Sequence, residues 1–185
     1  IIVDVIFLSL SVLALVFYVC MIFGFWSGAP FVPSSHKVVR DMIALARIQK
    51  GERVYDLGSG DGRILIAAAR EGAQAHGWET HPMLVWLTRL KAWLSGVGRE
   101  VRVEAKSYWP ADLKDADVIM VYLLASRMQE LKDKLIREVR LGTRVVSHDF
   151  KVPGWEPHAV QGNARLYIVP RKEDNAALRQ APHTN

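Results

Sequence analysis

The stretch that decides the fold covers residues 54–63 and reads Val-Tyr-Asp-Leu-Gly-Ser-Gly-Asp-Gly-Arg. Its first residues are typical of a buried strand, and an apolar helical pattern begins at Ile64. The three glycines between them allow a tight turn and leave room for a nucleotide-like ligand, which side chains would obstruct. The stretch therefore predicts a strand, a ligand-binding loop and a helix, the first unit of an open α/β fold.

Strand-like and helix-like segments alternate along the rest of the chain. Ser35 is a predicted N-cap for a first helix, and alternating elements then continue to a terminal hairpin. This order predicts a mostly parallel sheet, covered on both faces, with the hairpin as an antiparallel edge. The helices are predicted over 36–48, 62–71, 82–95 and 126–139, and the strands over 53–57, 74–79, 100–105, 118–123, 144–147, 156–160 and 164–169.

Two further features narrow the type of ligand. A dinucleotide-binding loop would read G-x-G-x-x-G, but here the third glycine comes one residue early and Arg63 takes the sixth position. Glu79 stands at the predicted end of the second strand, where a carboxylate can accept hydrogen bonds from both ribose hydroxyls of a nucleoside. With Asp56 two residues before the first glycine, the pattern is that of methyltransferases that use S-adenosylmethionine (SAM). A dehydrogenase that uses NAD is the alternative, and Arg63 argues against it.

The chain resembles a family of small, membrane-anchored, seven-strand (class I) lysine methyltransferases. Its eukaryotic members modify the adenine nucleotide translocase and the c-subunit of ATP synthase. The resemblance implies a Rossmann-like seven-stranded α/β fold with an N-terminal transmembrane helix. It also implies SAM as the cofactor and transfer of methyl groups to a lysine of a membrane-associated protein. The matching stretches are 31–35, 56–63, 79–82, 141–147 and 153–157.

The expected cofactor site combines the glycine loop with residues at strand ends and in the loop before the first helix. Where the family carries an acidic residue to recognise adenine, this chain has Ser107, whose hydroxyl can still accept a hydrogen bond. The loop over 31–35 is expected to fold over the cofactor, with a simple linker as the alternative. The residues expected to bind the cofactor are Val32, Pro33, Asp56, Gly58, Ser59, Gly60, Gly62, Glu79, Ser107 and Tyr108.

Tyr122 and Asp149 are the candidate catalytic residues, because they lie at or just beyond the ends of the fourth and fifth predicted strands. The Tyr122 ring could line a lysine channel or bond the amine, and Asp149 could accept the amine proton. A core aromatic residue and an exposed loop acid are the alternative interpretations. Trp86 and Trp93, seven apart on one predicted helix, are assigned to core or membrane-facing packing. No metal site is expected, since His76 and His81 lack companions at ligand spacing.

The N-terminal region carries a candidate membrane span. Residues 5–26 contain no charged side chain, and 14 of these 22 residues are Ile, Leu, Val or Phe. As a helix the run is about 33 Å long, enough for a hydrocarbon core of about 30 Å. A cleaved signal peptide and a buried core helix are the alternatives. All 24 Lys and Arg residues follow Trp26, so the positive-inside rule places the body on the cytoplasmic side, or on the equivalent SAM-containing side of an organelle membrane.

These features give a domain plan and a set of competing functions. The plan is a transmembrane helix (1–27), a linker and helix packing on the cofactor site (28–50), a methyltransferase domain (51–170) and a disordered tail (171–185). The expected partners are the bilayer and a membrane-associated protein, with no nucleic acid. Its single cysteine excludes an internal disulfide. Methylation of a quinone or lipid, and a non-catalytic SAM-binding assembly protein, remain the alternative functions.

Overall fold

The computed structural model describes residues 3–12, 15 and 34–170. The chain divides into two compact units, residues 1–33 and 34–185. In the first unit, residues 3–12 are helical and their side chains are exposed. No helix within the described residues combines the length and the apolar character needed to cross a bilayer. Residues 13–14 and 16–26 of the predicted span, residues 28–33 of the linker and the predicted tail all lie outside the described residues.

The second unit is built on one seven-stranded sheet. In chain order its strands are β1 (Arg53–Leu57), β2 (Gln74–Glu79), β3 (Val101–Ala105), β4 (Val118–Val121), β5 (Arg144–His148), β6 (Ala159–Gln161) and β7 (Ala164–Ile168). In space their order is β3-β2-β1-β4-β5-β7-β6. The first five are parallel, and β7 runs antiparallel between β5 and β6. The predicted sheet and its terminal hairpin are confirmed, although β6 begins at Ala159, three residues later than predicted.

Helices cover both faces of the sheet. They are α1 (His36–Ala46), α2 (Arg63–Arg70), α3 (Pro82–Leu94) and α4 (Met128–Glu138), the last preceded by a 3₁₀ turn over Ala125–Arg127. Ser35 caps α1 as predicted, because its hydroxyl accepts a hydrogen bond from the Val38 amide at 3.3 Å. The first three helices share one apolar core with the sheet, and α4 contributes to a second core on the opposite face.

The buried centre of the sheet sets where ligands can bind. All four residues of β4 are buried, as expected for a strand covered on both faces. The strand order reverses between β1 and β4, and in such sheets ligands bind beyond the carboxyl ends of the strands at this point. The ends of β1, β2, β4 and β5 therefore meet at one edge, which contains the candidate site.

Candidate active site

The glycine loop that follows β1 is tied to the neighbouring strand β2. The amides of Gly58 and Ser59 both donate hydrogen bonds to the carbonyl oxygen of Trp78, at 3.1 and 3.0 Å. Gly62 ends the loop with a φ of 77°. A β-carbon at Gly62 would lie 2.3 Å from Cγ2 of Thr88 on α3. The last glycine of the motif is thus required by the close packing of the loop against α3, in addition to its backbone conformation.

We expect Gly62→Ala to lower the free energy of unfolding by about 3 kcal/mol more than Gly96→Ala, because it adds an overpacked contact to backbone strain. Gly96 is a matched control, since its φ of 74° is nearly the same and a β-carbon there would meet no described atom within 4 Å. Urea unfolding of the two variants checks this. Equal losses of stability would contradict the packing role of Gly62.

A second close approach, at Gly77 inside β2, was not predicted. A β-carbon at Gly77 would lie 2.6 Å from Cδ1 of Leu65 and 2.7 Å from Cβ of Ser59. A bare backbone at this point lets the glycine loop and α2 lie directly against β2. The available signal was a glycine within a strand pattern, which often marks a close approach of another segment.

Glu79, at the end of β2, is held by backbone donors. Its Oε2 accepts a hydrogen bond from the amide of Gly60 at 2.9 Å, and its Oε1 accepts one from the amide of His81 at 2.9 Å. Two charge-assisted bonds fix the orientation of the carboxylate and join it to the glycine loop. Oε2 keeps a further lone-pair position, and Oε1 also accepts a long 3.4 Å bond from the Thr80 hydroxyl, which a ribose hydroxyl could replace. Glu79 can therefore still accept the two ribose hydroxyls predicted for it.

Asp56 and Ser59 each supply one buried polar atom to the site. Oδ2 of Asp56 and Oγ of Ser59 are buried and have no hydrogen-bond partner among the described residues. Burial, together with the charges of Glu79 and Asp61, raises the pKa of Asp56 to about 7. A buried carboxyl without a partner is costly unless a ligand, and above all a cationic one, completes its interactions.

Asp61, in the same loop, differs from Asp56 because its carboxylate is paired with two cationic side chains. Arg63 contacts both of its oxygens at 2.8 Å, and Nζ of Lys91 lies 2.6 Å from Oδ2. Although burial alone would raise it, these hydrogen bonds bring the pKa of Asp61 down to about 2. Arg63 also donates to the carbonyl oxygen of Ser34. Arg63 therefore joins the glycine loop to the segment before α1.

The residues expected near adenine lie in the loop that follows β3. The hydroxyl of Ser107 accepts a hydrogen bond from the amide of Trp109 at 3.3 Å, and the Tyr108 and Trp109 rings lie 4.8 Å apart. Both Ser107 and Tyr108 are partly exposed. The two remaining predicted cofactor residues, Val32 and Pro33, lie outside the described residues.

Tyr122 and Asp149 come together at the ends of β4 and β5, with His148 between them. The Tyr122 and His148 rings meet edge to face, with centroids 4.6 Å apart. Nδ1 of His148 lies 3.2 Å from Oδ2 of Asp149, without the alignment of a hydrogen bond. Burial and the Asp149 carboxylate raise the pKa of Tyr122, whereas burial lowers the pKa of His148 despite Asp149. His148 was not among the predicted catalytic residues.

Asp149 has a strained backbone that its neighbours hold in place. Its φ of 62° lies in the left-handed region, which is uncommon for a residue other than glycine and often marks a functional position. The side chain of Asn163, in the β6–β7 turn, donates to Oδ1 of Asp149 at 2.7 Å. Arg165 donates to the Asp149 carbonyl oxygen at 3.0 Å. An adjacent cavity of about 260 Å³ is lined in part by His148 and Asn163.

The fold and this site define a class I methyltransferase with a binding site for SAM. The strand order, the glycine loop and the oriented Glu79 carboxylate suit the nucleoside part of such a cofactor. The buried Asp56 carboxyl suits a cationic ligand, and SAM carries both a sulfonium and an ammonium group. When bound, SAM supplies an activated methyl group, and the protein supplies binding and orientation.

Comparison with known proteins gives the family. Residues 56–159 match the profile of the ANTKMT methyltransferase domain, and the chain belongs to this family. It is 43% identical to the adenine nucleotide translocase lysine N-methyltransferase of Mus musculus, over 72% of this chain and 58% of that protein. It is 36% identical to the ATP synthase C-subunit lysine N-methyltransferase of Homo sapiens, over 72% of this chain and 57% of that protein. The chain thus spans little more than half the length of these two relatives.

Two shorter proteins are similar over nearly their whole length. A protein-lysine N-methyltransferase of Saccharolobus islandicus is 37% identical, over 76% of this chain and 93% of that protein. The crystal structure of an RNA methyltransferase from Salinibacter ruber, in complex with S-adenosyl-L-homocysteine, superposes with a TM-score of 0.72 at 36% identity. That match covers 83% of this chain and 98% of the other. It supports both the fold and the type of cofactor.

Proposed function

We propose that this protein transfers methyl groups from SAM to a lysine side chain of a membrane-associated protein. The observation that carries the proposal is the cluster of Tyr122, His148 and Asp149 at the ends of β4 and β5, on the same edge of the sheet as the glycine loop. A carboxylate and aromatic rings together suit a lysine amine, through charge and through the face of a ring. The names of three similar proteins, all lysine N-methyltransferases, support the same choice of substrate.

The reaction requires the lysine amine to be neutral. Bringing a lysine with an ordinary pKa of about 10.4 to its neutral form at pH 7.4 costs about 4 kcal/mol. Partial burial at the strand ends would supply part of this by lowering the pKa of the amine. Asp149 would orient the amine and can accept its proton, while Tyr122 would line the approach. Because Tyr122 and Asp149 are partly buried, they would also help to keep water away from the reacting atoms.

We expect Asp149→Asn to lower kcat/KM for the protein substrate about 100-fold, because it removes the charge that faces the amine. The dissociation constant for SAM should stay within about twofold, since Asp149 belongs to neither the glycine loop nor β2. Methyl-transfer kinetics and calorimetric titration with SAM measure the two effects. Asp112→Asn, an exposed acid in the loop after β3, is the matched control. Full activity of Asp149→Asn would remove this residue from the proposed site.

Asn163→Ala should give a smaller loss of the same kind, about tenfold in kcat/KM, because it removes the 2.7 Å hydrogen bond that holds the Asp149 carboxylate. Asn163 acts here as a positioning residue. If it acts through Asp149, the double variant with Asp149→Asn will be no less active than Asp149→Asn alone. Losses that multiply in the double variant would instead show that Asn163 acts independently.

We further propose that the N-terminal segment anchors the protein as a single-pass span, with the catalytic domain on the SAM-containing side. The uncharged run over residues 5–26 and the exposed apolar side chains of the helix over residues 3–12 support this. Extraction of host membranes with alkaline carbonate should leave the full chain in the pellet. In a separate experiment on sealed membranes that have not been extracted, a protease added to the SAM-containing side should digest the catalytic domain. Release into the supernatant would overturn the anchor.

RNA methylation is a second candidate function, favoured by the Salinibacter ruber structure and by the net charge of about +6 after Trp26. The test is to incubate the purified full chain with methyl-labelled SAM and host membranes that retain their RNA, beside a Glu79→Ala control. Label in a protein band that the control lacks would support lysine methylation. Label in RNA or in the lipid extract would replace the proposal, and SAM binding without any transfer would indicate a non-catalytic protein.

A further inference from the structure

Helix α3 is apolar on two opposite sides. Its buried side, with Val85, Thr88 and Ala92, packs on the sheet. Its outer side exposes large apolar side chains: Trp86 is 62% exposed and Trp93 is 71% exposed. A surface helix of a globular protein normally turns polar residues outward. The alternative that the two tryptophans pack in the core is therefore wrong, and their exposure needs another explanation. We call Met83, Trp86, Trp93 and Leu94 the outer stripe of α3.

The spacing of these residues places them on one face of α3, and the partly exposed Leu90 lies between Trp86 and Trp93 on that face. Successive members of the stripe are three, seven and one positions apart in the sequence. At 3.6 residues per turn, all four fall on one side of the helix over about three turns. The exposed fractions of Met83 and Leu94, 48% and 69%, show that the stripe reaches from the first turn of the helix to its last. Contiguous exposed apolar surface of this kind marks an interaction site on a soluble domain.

The charged side chains of α3 itself, Arg89 and Lys91, are both basic, and Lys91 is paired with Asp61. From Thr80 to Arg99 the chain contains Arg89, Lys91 and Arg99 but no Asp or Glu. Arg89 and Arg99 are exposed. An interfacial helix has this composition, with tryptophan and leucine on one side and basic residues beside them. Tryptophan in particular prefers the boundary between lipid head groups and acyl chains.

We infer that α3 is a second membrane contact, which lays its outer stripe into the surface of an anionic bilayer. A second copy of the chain is a poorer partner, because a two-fold contact would bring the basic residues of both helices together without an acid from either helix to neutralise them. Each basic residue near an anionic lipid surface strengthens the contact by electrostatic attraction. If the proposed anchor also holds, it raises the effective concentration of α3 at the bilayer, so that even a weak contact would be occupied.

The contact also gives the catalytic domain a defined orientation. Helix α3 begins three residues after Glu79, so its first turn lies at the same edge of the sheet as the cofactor loop. A bilayer along α3 would place that edge close to the lipid surface. A membrane-associated substrate would then meet the strand ends without a separate recognition domain. This consequence rests on the proposed function, whereas the contact itself does not.

The test reports the environment of α3 itself. The full chain carries Cys20→Ser, which removes its only cysteine, and one introduced cysteine with an environment-sensitive fluorophore. Leu94→Cys places the label on the stripe and keeps both tryptophans, and Gln129→Cys places it at an exposed position on α4 as the control. Vesicles contain brominated phosphatidylcholine, with or without phosphatidylserine. We expect bromine quenching about threefold greater at residue 94 than at residue 129 with phosphatidylserine, and weaker without it.

Two further variants separate the contribution of the apolar stripe from that of the basic charge. In the labelled chain, Trp86→Ser with Trp93→Ser should reduce quenching at residue 94 to the level of the control, and Arg99→Glu should reduce the effect of phosphatidylserine. Both should leave SAM binding unchanged, which shows that the domain is folded. Equal quenching at residues 94 and 129 would overturn the inference. A spectral shift at residue 94 without vesicles, increasing with protein concentration, would do so too and identify a second copy as the partner. Vesicle flotation in alkaline carbonate separately tests the N-terminal anchor.

Discussion

Glu79→Gln is expected to weaken SAM binding about 1,000-fold. The carboxylate accepts hydrogen bonds from the amides of Gly60 and His81, and it offers its remaining lone pairs to the ribose. An amide side chain keeps the shape but replaces one oxygen by an NH₂ group, which would face a backbone donor. The change removes charge-assisted bonds worth about 1.5–3 kcal/mol each, both to the ligand and within the loop.

Titration calorimetry with SAM measures the effect, and Glu104→Gln is the matched control. Glu104 lies in the neighbouring strand β3, where it contacts His76 and Lys106 rather than the glycine loop. The control should bind SAM within about twofold of the parent. Parent-like binding by Glu79→Gln would show that the carboxylate does not contact the cofactor, and the assignment of the loop would then be wrong.

Asp56→Asn should make the cofactor-free protein more stable and its SAM binding weaker. The pKa of Asp56 is raised from 3.8 to about 7 by burial and by the charges of Glu79 and Asp61. Between these two values the folded state binds more protons than the unfolded state, so the stability of the parent falls as pH rises through this range. By pH 8 the loss reaches about 4 kcal/mol. The neutral variant avoids this loss.

Urea unfolding of the cofactor-free parent and Asp56→Asn at pH 4.5 and pH 8 checks the prediction. The variant should be more stable by only about 1 kcal/mol at pH 4.5, where the parent has begun to lose stability, and by about 4 kcal/mol at pH 8. Asp61→Asn should behave in the opposite way. Because the pKa of Asp61 is lowered to about 2, its ionised form stabilises the fold above pH 4, and the variant should lose about 2 kcal/mol at pH 8. A destabilised Asp56→Asn would contradict the picture of an unpaired buried carboxyl.

The affinity for SAM should depend on pH in the opposite direction to the stability. Because the ionised carboxylate is the form that attracts a cationic ligand, the affinity of the parent should rise as pH increases through about 7. In Asp56→Asn this component should be absent. An affinity of the parent that stays constant between pH 6 and pH 8 would mean that Asp56 does not face the cationic part of the cofactor.

Local patterns carried most of the fold prediction. The strand, glycine loop and helix around residues 53–70 were predicted to within a residue, since all their signals lie within one short stretch. The same holds for Ser35 as a helix cap. The fourth strand ends at Val121, two residues earlier than predicted, because the apolar pattern continues into the partly buried residues Tyr122 and Leu123.

Long-range contacts account for what the sequence did not reveal. The contact of Gly77 with Leu65 and Ser59 depends on how an adjacent strand packs, which no local pattern encodes. The hydrogen bond from Asn163 to Asp149 joins a hairpin turn to a strand end. The outward direction of Trp86 and Trp93 follows from which side of α3 meets the sheet, and a helix with apolar residues on two opposite sides does not indicate that side in advance.

The most direct test of the proposed function is to incubate the purified full chain and host membranes with SAM that carries a deuterated methyl group. Peptide mass spectrometry of the membrane proteins then locates the transferred group. The account predicts a deuterated methyl group on the side-chain nitrogen of a lysine in a membrane-associated protein, and its absence when the Glu79→Gln variant is used. Transfer to a residue other than lysine, or transfer only to lipid or RNA, would contradict it.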